Sequence, residues 1–93
     1  MGLKFEWDGD KARKNVKKHK VSFEEAVTVF GDFLSITIPD SSHSETEDRW
    51  IIIGESNKHR LIVMVHTERG DRIRIISARQ ATLRERKEYE ANG

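Results

Sequence analysis

Residues 61–79 hold the side chains best suited to chemistry. The run Leu-Ile-Val-Met-Val-His-Thr-Glu-Arg-Gly-Asp-Arg-Ile-Arg-Ile-Ile-Ser-Ala-Arg begins and ends as an apolar strand, yet it carries His66, Glu68, Arg69, Arg72, Arg74 and Arg79. Guanidinium forks match phosphate oxygens in pairs, so this set suits a phosphodiester. Metal-free RNA cleavage needs a base for the ribose 2′-hydroxyl proton, cations for the charge on a phosphorane, and an acid for the departing 5′-oxygen. Glu68 or His66 fits the first role, since an imidazole titrates near neutral pH. Arg72, Arg74 and Arg79 fit the second. The product would be a 2′,3′-cyclic phosphate, and DNA, which lacks the 2′-hydroxyl, would resist. A solvated outer sheet face accounts for the same charges without chemistry, because antiparallel sheets commonly have one.

Whether these groups meet depends on the elements that carry them. Arg60 to Thr67 and Arg72 to Ala78 read as paired strands. Side chains alternate along a strand, so the length of the turn decides which faces match. A turn of two or four residues sets His66 opposite an isoleucine; a turn of three sets it opposite Arg72 or Arg74. Glu68-Arg69-Gly70 suits three, with Gly70 in the left-handed position of a bulge. On that register Val63, Val65, Ile73 and Ile75 face the core with Val27, Phe30 and Ile52. His66, Glu68, Arg72 and Arg74 then share the opposite face.

The other elements follow from local signals. Phe5-Glu-Trp7 reads as an edge strand or an extended lead-in, and Asp8 caps a helix over about 9–19. That helix has a thin apolar stripe and a basic face with Lys14, Lys17, Lys18 and Lys20. Ser22 with Glu25 forms a capping box, and Phe23, Ala26, Val27 and Phe30 follow at helical spacing to Gly31. Phe33–Ile38 and Arg49–Ser56 read as strands on either side of a polar loop, Pro39 to Asp48, that contains His43. Thr82 with Glu85 opens a last helix over about 83–91, on which Leu83 and Tyr89 are the only large apolar residues. The expected fold is α+β: a four-stranded antiparallel meander sheet with two N-terminal helices and a short C-terminal helix. No repeat or linker divides the chain, so residues 1–93 are expected to form one domain.

Composition narrows the function classes. Hydrophobic and charged residues each make up 35% of the chain, and there is no cysteine, so disulfides and thiolate zinc sites are excluded. No metal-ligand spacing occurs, and neither metal nor cofactor is expected. No apolar run suits a signal peptide or a membrane span, which fits a cytoplasmic protein. The net charge of +1 hides segregation: residues 1–20 carry +4, residues 21–48 carry −7 and residues 49–93 carry +4. A basic face made this way could meet a polyanion.

Several segments together resemble the BrnT family of bacterial type II toxins. They are Phe5-Glu-Trp-Asp8, Asn15, Lys18-His19, Val21-Ser-Phe-Glu-Glu-Ala26, Asp48-Arg-Trp50, Ile53-Gly54, Arg72-Ile-Arg-Ile-Ile-Ser-Ala-Arg79, Glu85-Arg86 and Tyr89. The Ile-Arg-Ile-Ile-Ser-Ala-Arg run is the most specific, and the likeness spans nearly the whole chain in order. One departure is Lys20, where many members have glycine at the helix stop. The resemblance implies a RelE-like ribonuclease toxin that inhibits translation, and a cognate BrnA-like antitoxin in a hetero-oligomer that reaches operator DNA only through the antitoxin. It also implies catalytic roles for His66, Glu68, Arg74 and Arg79. RNA contacts are expected from Arg72, Arg69, Tyr89, Lys17 and Lys18. A non-catalytic RNA- or DNA-binding module, or a structural partner in a repressor complex, is the alternative; it has no need of His66 and Glu68.

Overall fold

Asp8 starts the first helix as its position predicts. In the computed structural model, which describes residues 2–40 and 48–92, its carboxylate accepts from the Asp10 and Lys11 amides at 2.8 and 3.3 Å and opens α1, Gly9–His19. Lys20 ends α1 in the left-handed region, φ 60 and ψ 30, with its amide bonded to the Val16 carbonyl. A lysine thus takes the backbone shape that glycine adopts freely, at a cost of roughly 1–2 kcal/mol.

Ser22 caps the next segment by accepting from the Glu25 amide at 3.0 Å. The single long helix expected here is instead a short α2, Phe23–Ala26, that tightens into a 3-10 helix, Val27–Gly31. The change of period explains which residues are buried. Phe23, Ala26 and Val29 recur every third residue and are fully buried, while Val27 and Phe30 are only partly covered. The Glu25 carboxylate does not complete a capping box. It turns inward to Ser56 Oγ at 2.7 Å and Arg60 Nε at 2.9 Å.

The strands are β1 Lys4–Glu6, β2 Ile36–Pro39, β3 Arg49–Glu55, β4 Leu61–Arg69 and β5 Arg72–Gln80, and α3 spans Leu83–Asn92. Strands β2 to β5 form the expected antiparallel meander. However, β1 pairs in parallel with β5 at the edge, so the sheet is five-stranded and mixed, in the order β1-β5-β4-β3-β2. Strand β2 starts three residues later than predicted and leaves Phe33 in solvent. His43 and residues 41–47 lie outside the described residues.

The main core, with Val21, Phe23, Ile52, Ile62, Met64, Ile75 and Ala78, lies between one sheet face and the first two helices. On the other face Ile53, Leu61 and Val63 pack with Ala81 and with Tyr89 of α3. Among the expected core residues Ile52, Val63 and Ile75 are buried, and Val65 and Ile73 are partly so. No described helix is long and apolar enough to cross a membrane.

Candidate active site

The β4–β5 turn decides the geometry of the site. Arg69 pairs with Arg72, so Gly70 and Asp71 make a two-residue turn, and Gly70 at φ +60 holds the first turn position, as glycine does in a type II′ hairpin. The expected three-residue turn is therefore corrected, and one strand changes faces. Thr67 lies opposite Arg74, while His66 lies opposite Ile75 and Glu68 opposite Ile73. Ile73 and Ile75 face the helices as predicted; Val63 and Val65 do not. The sequence hid this because Leu61-Ile-Val-Met-Val65 is apolar on both faces.

His66 and Glu68 are thus separated from the arginines. The His66 ring sits 5.2 Å from that of Phe30, across from Trp50, and is 5% exposed. Neither ring nitrogen has a hydrogen-bond partner. Burial pushes its pKa below the usual histidine value, against a weaker pull from Glu68. It is placed as a neutral core imidazole, and Glu68 is exposed at the margin of the same face.

The arginines converge on the opposite face. Alternation along β4 and cross-strand pairing put Arg69, Arg72, Arg74 and Arg79 there, together with Arg49, which sequence reasoning missed. Parallel pairing adds Lys4 opposite Arg72 and Glu6 opposite Arg74. The Glu6 carboxylate lies 3.0 Å from the Arg74 guanidinium, with both side chains about three-quarters buried. Alternation in Phe5-Glu-Trp7 was the one signal for Glu6, since it set the acid opposite two core aromatics.

Arg79 is held by α3. Both its terminal nitrogens meet the Glu85 carboxylate, at 2.7 and 2.8 Å. The Arg79 pairing, helped by Thr82, lowers the Glu85 pKa to about 2. Glu85 also accepts from the Thr82 amide at 2.8 Å while its own amide reaches Thr82 Oγ1 at 3.2 Å, which completes the capping box that the sequence predicts. Tyr89 donates its hydroxyl to Asp32, and that bond raises the phenol pKa to about 12. Tyr89 therefore anchors α3 beside the arginine face. Lys17 and Lys18 are exposed on α1, which packs over the other face. Among the described residues no three His, Asp or Glu side chains gather to hold a metal ion.

The site is thus a sheet face of arginine forks, with Glu6 and Glu85 as their carboxylate counter-ions. A phosphodiester carries the charge and oxygen spacing to take the place of those carboxylates. A family model described as "Ribonuclease toxin, BrnT, of type II toxin-antitoxin system" matches residues 7–85. Among solved structures, the 1.1 Å crystal structure of the Brucella abortus ribonuclease toxin BrnT superposes with a TM-score of 0.67 at 24% identity, over 87% of this chain and 99% of that one. That likeness speaks to the fold. No functionally curated protein matches the sequence.

Proposed function

This chain belongs to the BrnT family of ribonuclease toxins of type II toxin-antitoxin systems, and from that premise we propose that it cuts RNA internally, without a metal, through attack by the ribose 2′-hydroxyl. The observation that carries this reading is the gathering of Arg69, Arg72, Arg74 and Arg79 on one sheet face. There guanidinium charge and paired N–H donors supply what a metal would otherwise supply to the phosphorane. Arg74 and Arg72 clamp the phosphate near the β4–β5 turn, and Arg79 engages it once Glu85 yields. The proton acceptor on this face is a carboxylate, and Glu6 beside Arg74 is the best placed to take the 2′-hydroxyl proton as the O2′–P bond forms, while solvent water protonates the 5′-oxygen as the P–O5′ bond breaks. His66 packs against Phe30 on the opposite face, with Glu68 exposed at the margin of that face, so neither acts at the scissile bond.

As a type II toxin the protein has a cognate antitoxin. We place that partner, a BrnA-like chain, over the arginine face and α3 in a hetero-oligomer, where it keeps RNA out. Operator DNA is reached only through the antitoxin, and the complex works in the cytoplasm, where free toxin stops translation.

The test is cleavage of RNA by purified protein in excess EDTA, with the new ends analysed. Fragments should end in 2′,3′-cyclic phosphate and begin with 5′-hydroxyl, and a 2′-deoxy substitution at the scissile nucleotide should stop the reaction. Activity that vanishes in EDTA and returns with a divalent ion would overturn the mechanism.

A further inference from the structure

Strand β1 covers only part of the outer edge of β5, pairing with Arg72–Arg74 and no further. Beyond that point α1 lies along the edge. There the Asn15 side chain accepts from the Ala78 amide at 3.2 Å and donates to the Ala78 carbonyl at 2.8 Å, much as a strand would. A β-bulge falls in the same place. Ile75 is opposite His66 and Ser77 is opposite Val65, which leaves Ile76 as the extra residue. Bulges re-aim side chains and are frequent beside functional sites. Here the bulge and α1 enclose a cleft of about 220 Å³ lined by Lys11, Lys14, Lys18, His19, Ile76 and Ser77.

From this arrangement we infer that the seam between α1 and the outer edge of β5 is a second phosphate-binding site, which holds the backbone of single-stranded RNA beside the arginine face. The inference rests on the RNA-cleavage reading above. Lys11, Lys14 and Lys18 stand at i, i+3 and i+7, one stripe of the helix. None of them forms a salt bridge to a described acid: Asp10 is taken by Arg13, and the Asp8 carboxylate caps the helix amides. Like charges at this spacing repel one another. The helix dipole favours cations in the last turn, which accounts for Lys18 but not for Lys11 in the first turn or Lys14 mid-helix. An external anion accounts for all three.

Continuity with the arginine face points to RNA as that anion. Ser77 pairs with Val65, so it belongs to the arginine face between Arg74 and Arg79, and it also lines the lysine cleft. The cleft therefore opens roughly 10 Å along the strand from Arg74. An RNA strand with one phosphate on the arginines can turn over the β5 edge and place a neighbouring phosphate among the lysines. Ammonium groups act there as point charges and read no sequence.

The test is the triple variant Lys11→Gln/Lys14→Gln/Lys18→Gln. All three side chains are exposed and glutamine keeps helix propensity, so the fold should hold. Binding of a non-cleavable 2′-O-methyl oligonucleotide is measured against salt. The slope of log K on log[salt] should flatten by about 0.7, the value for one phosphate contact on a single strand. The variant's loss in kcat/KM should be at least tenfold greater on a long RNA than on a dinucleotide, and should lie in KM. Wild-type affinity and slope would overturn the inference and return the lysines to a solvated face. The same result combined with weaker operator-DNA binding by the toxin-antitoxin complex would overturn it in favour of DNA. If the wild-type protein binds the oligonucleotide through these lysines but cuts no RNA, the seam stands and the cleavage reading falls.

Discussion

The two faces of the sheet treat polar groups in opposite ways. Under α1 and α2 they are buried and fixed. Asn15 makes three bonds to backbone groups of Val21 and Ala78, and Glu25 is locked to Arg60 and Ser56. His66 is the exception, buried with no partner. Across the sheet Thr67 is buried, but the charges of Arg74 and Arg79 are paired and partly wet. The side chains of Arg74 and Glu6 are 28% and 27% exposed, and those of Arg79 and Glu85 are 41% and 22% exposed. Arg60 is 29% exposed, but Glu25 is only 2% exposed and cannot release it without stranding its own charge in a low dielectric. A partly solvated arginine whose partner is also partly solvated can release that carboxylate and take a phosphate, since water stabilises both during the exchange. One face is therefore built to stay as it is, and the other to change partners.

The sharpest break of this comparison is at Arg74. Lysine there keeps the charge but loses the fork. If the arginine face clamps a phosphorane, Arg74→Lys should lower RNA cleavage by about 10²–10³ with the fold intact, as one lost transition-state donor typically does. Single-turnover kinetics with a urea melt check both halves. Wild-type cleavage would leave Arg74 as a structural partner of Glu6 and no more.

The next effect belongs to the fixed face and reads in stability instead. Asn15→Leu keeps side-chain size but strands the Ala78 amide and carbonyl and the Val21 carbonyl. Each unsatisfied buried group costs about 1–3 kcal/mol, and partial rescue by water should leave a net loss of about 2–3 kcal/mol. Urea denaturation measures it. A loss below about 0.5 kcal/mol would mean that Asn15 is no surrogate strand.

How far the sequence revealed these faces depended on whether a local signal was unambiguous. Asp8, Ser22 and Thr82 marked helix starts because a capping side chain acts within three residues. The meander was legible from alternation and short turns. Register failed where alternation failed: Leu61 to Val65 is apolar at every position, so nothing local set His66 inside or outside. The parallel pairing of β1 was invisible because its partner lies about 68 residues away. Glu6 and the β5 bulge escaped with it, since both are defined by a neighbour strand and not by their own segment. Arg72 and Arg74 were placed on their face because Ile73 and Ile75 alternate with them, whereas Arg79 reaches it only through the bulge.

His66 gives a smaller effect that separates the faces by pH. Its folded pKa lies below the ordinary value because burial disfavours the cation. The unfolded chain therefore binds a proton that the folded chain refuses. Stability should fall as pH drops below about 6.5, the unfolded value, and stop falling once the folded imidazole titrates. His66→Phe fills the space beside Phe30 without a titrating group. The difference between wild-type and variant melting temperatures should grow in the variant's favour from pH 7.5 to 5. A constant difference over that range would show that His66 finds a partner or water when protonated.

The smallest expected effect tests the exchangeable face at its edge. Helix α3 has no buried residue and is held chiefly by Glu85 on Arg79 and Tyr89 on Asp32. Glu85→Gln keeps the shape and removes the charge. Because Arg79 is well solvated, the loss in global stability should stay within about 1 kcal/mol. Amide exchange is the sensitive readout: α3 should exchange faster while β4 and β5 keep their protection. Acid should imitate the substitution with a defined sign. The Glu85 pKa falls from an ordinary carboxylate value to about 2 on folding, so its contribution is complete above the unfolded value and is lost as pH falls toward 2. In wild type the clasp should survive at pH 4 and open near pH 2; in Glu85→Gln it should be loose at both. If β5 loses protection together with α3, the helix is a fixed part of the core, and the contrast between the two faces ends at Arg79.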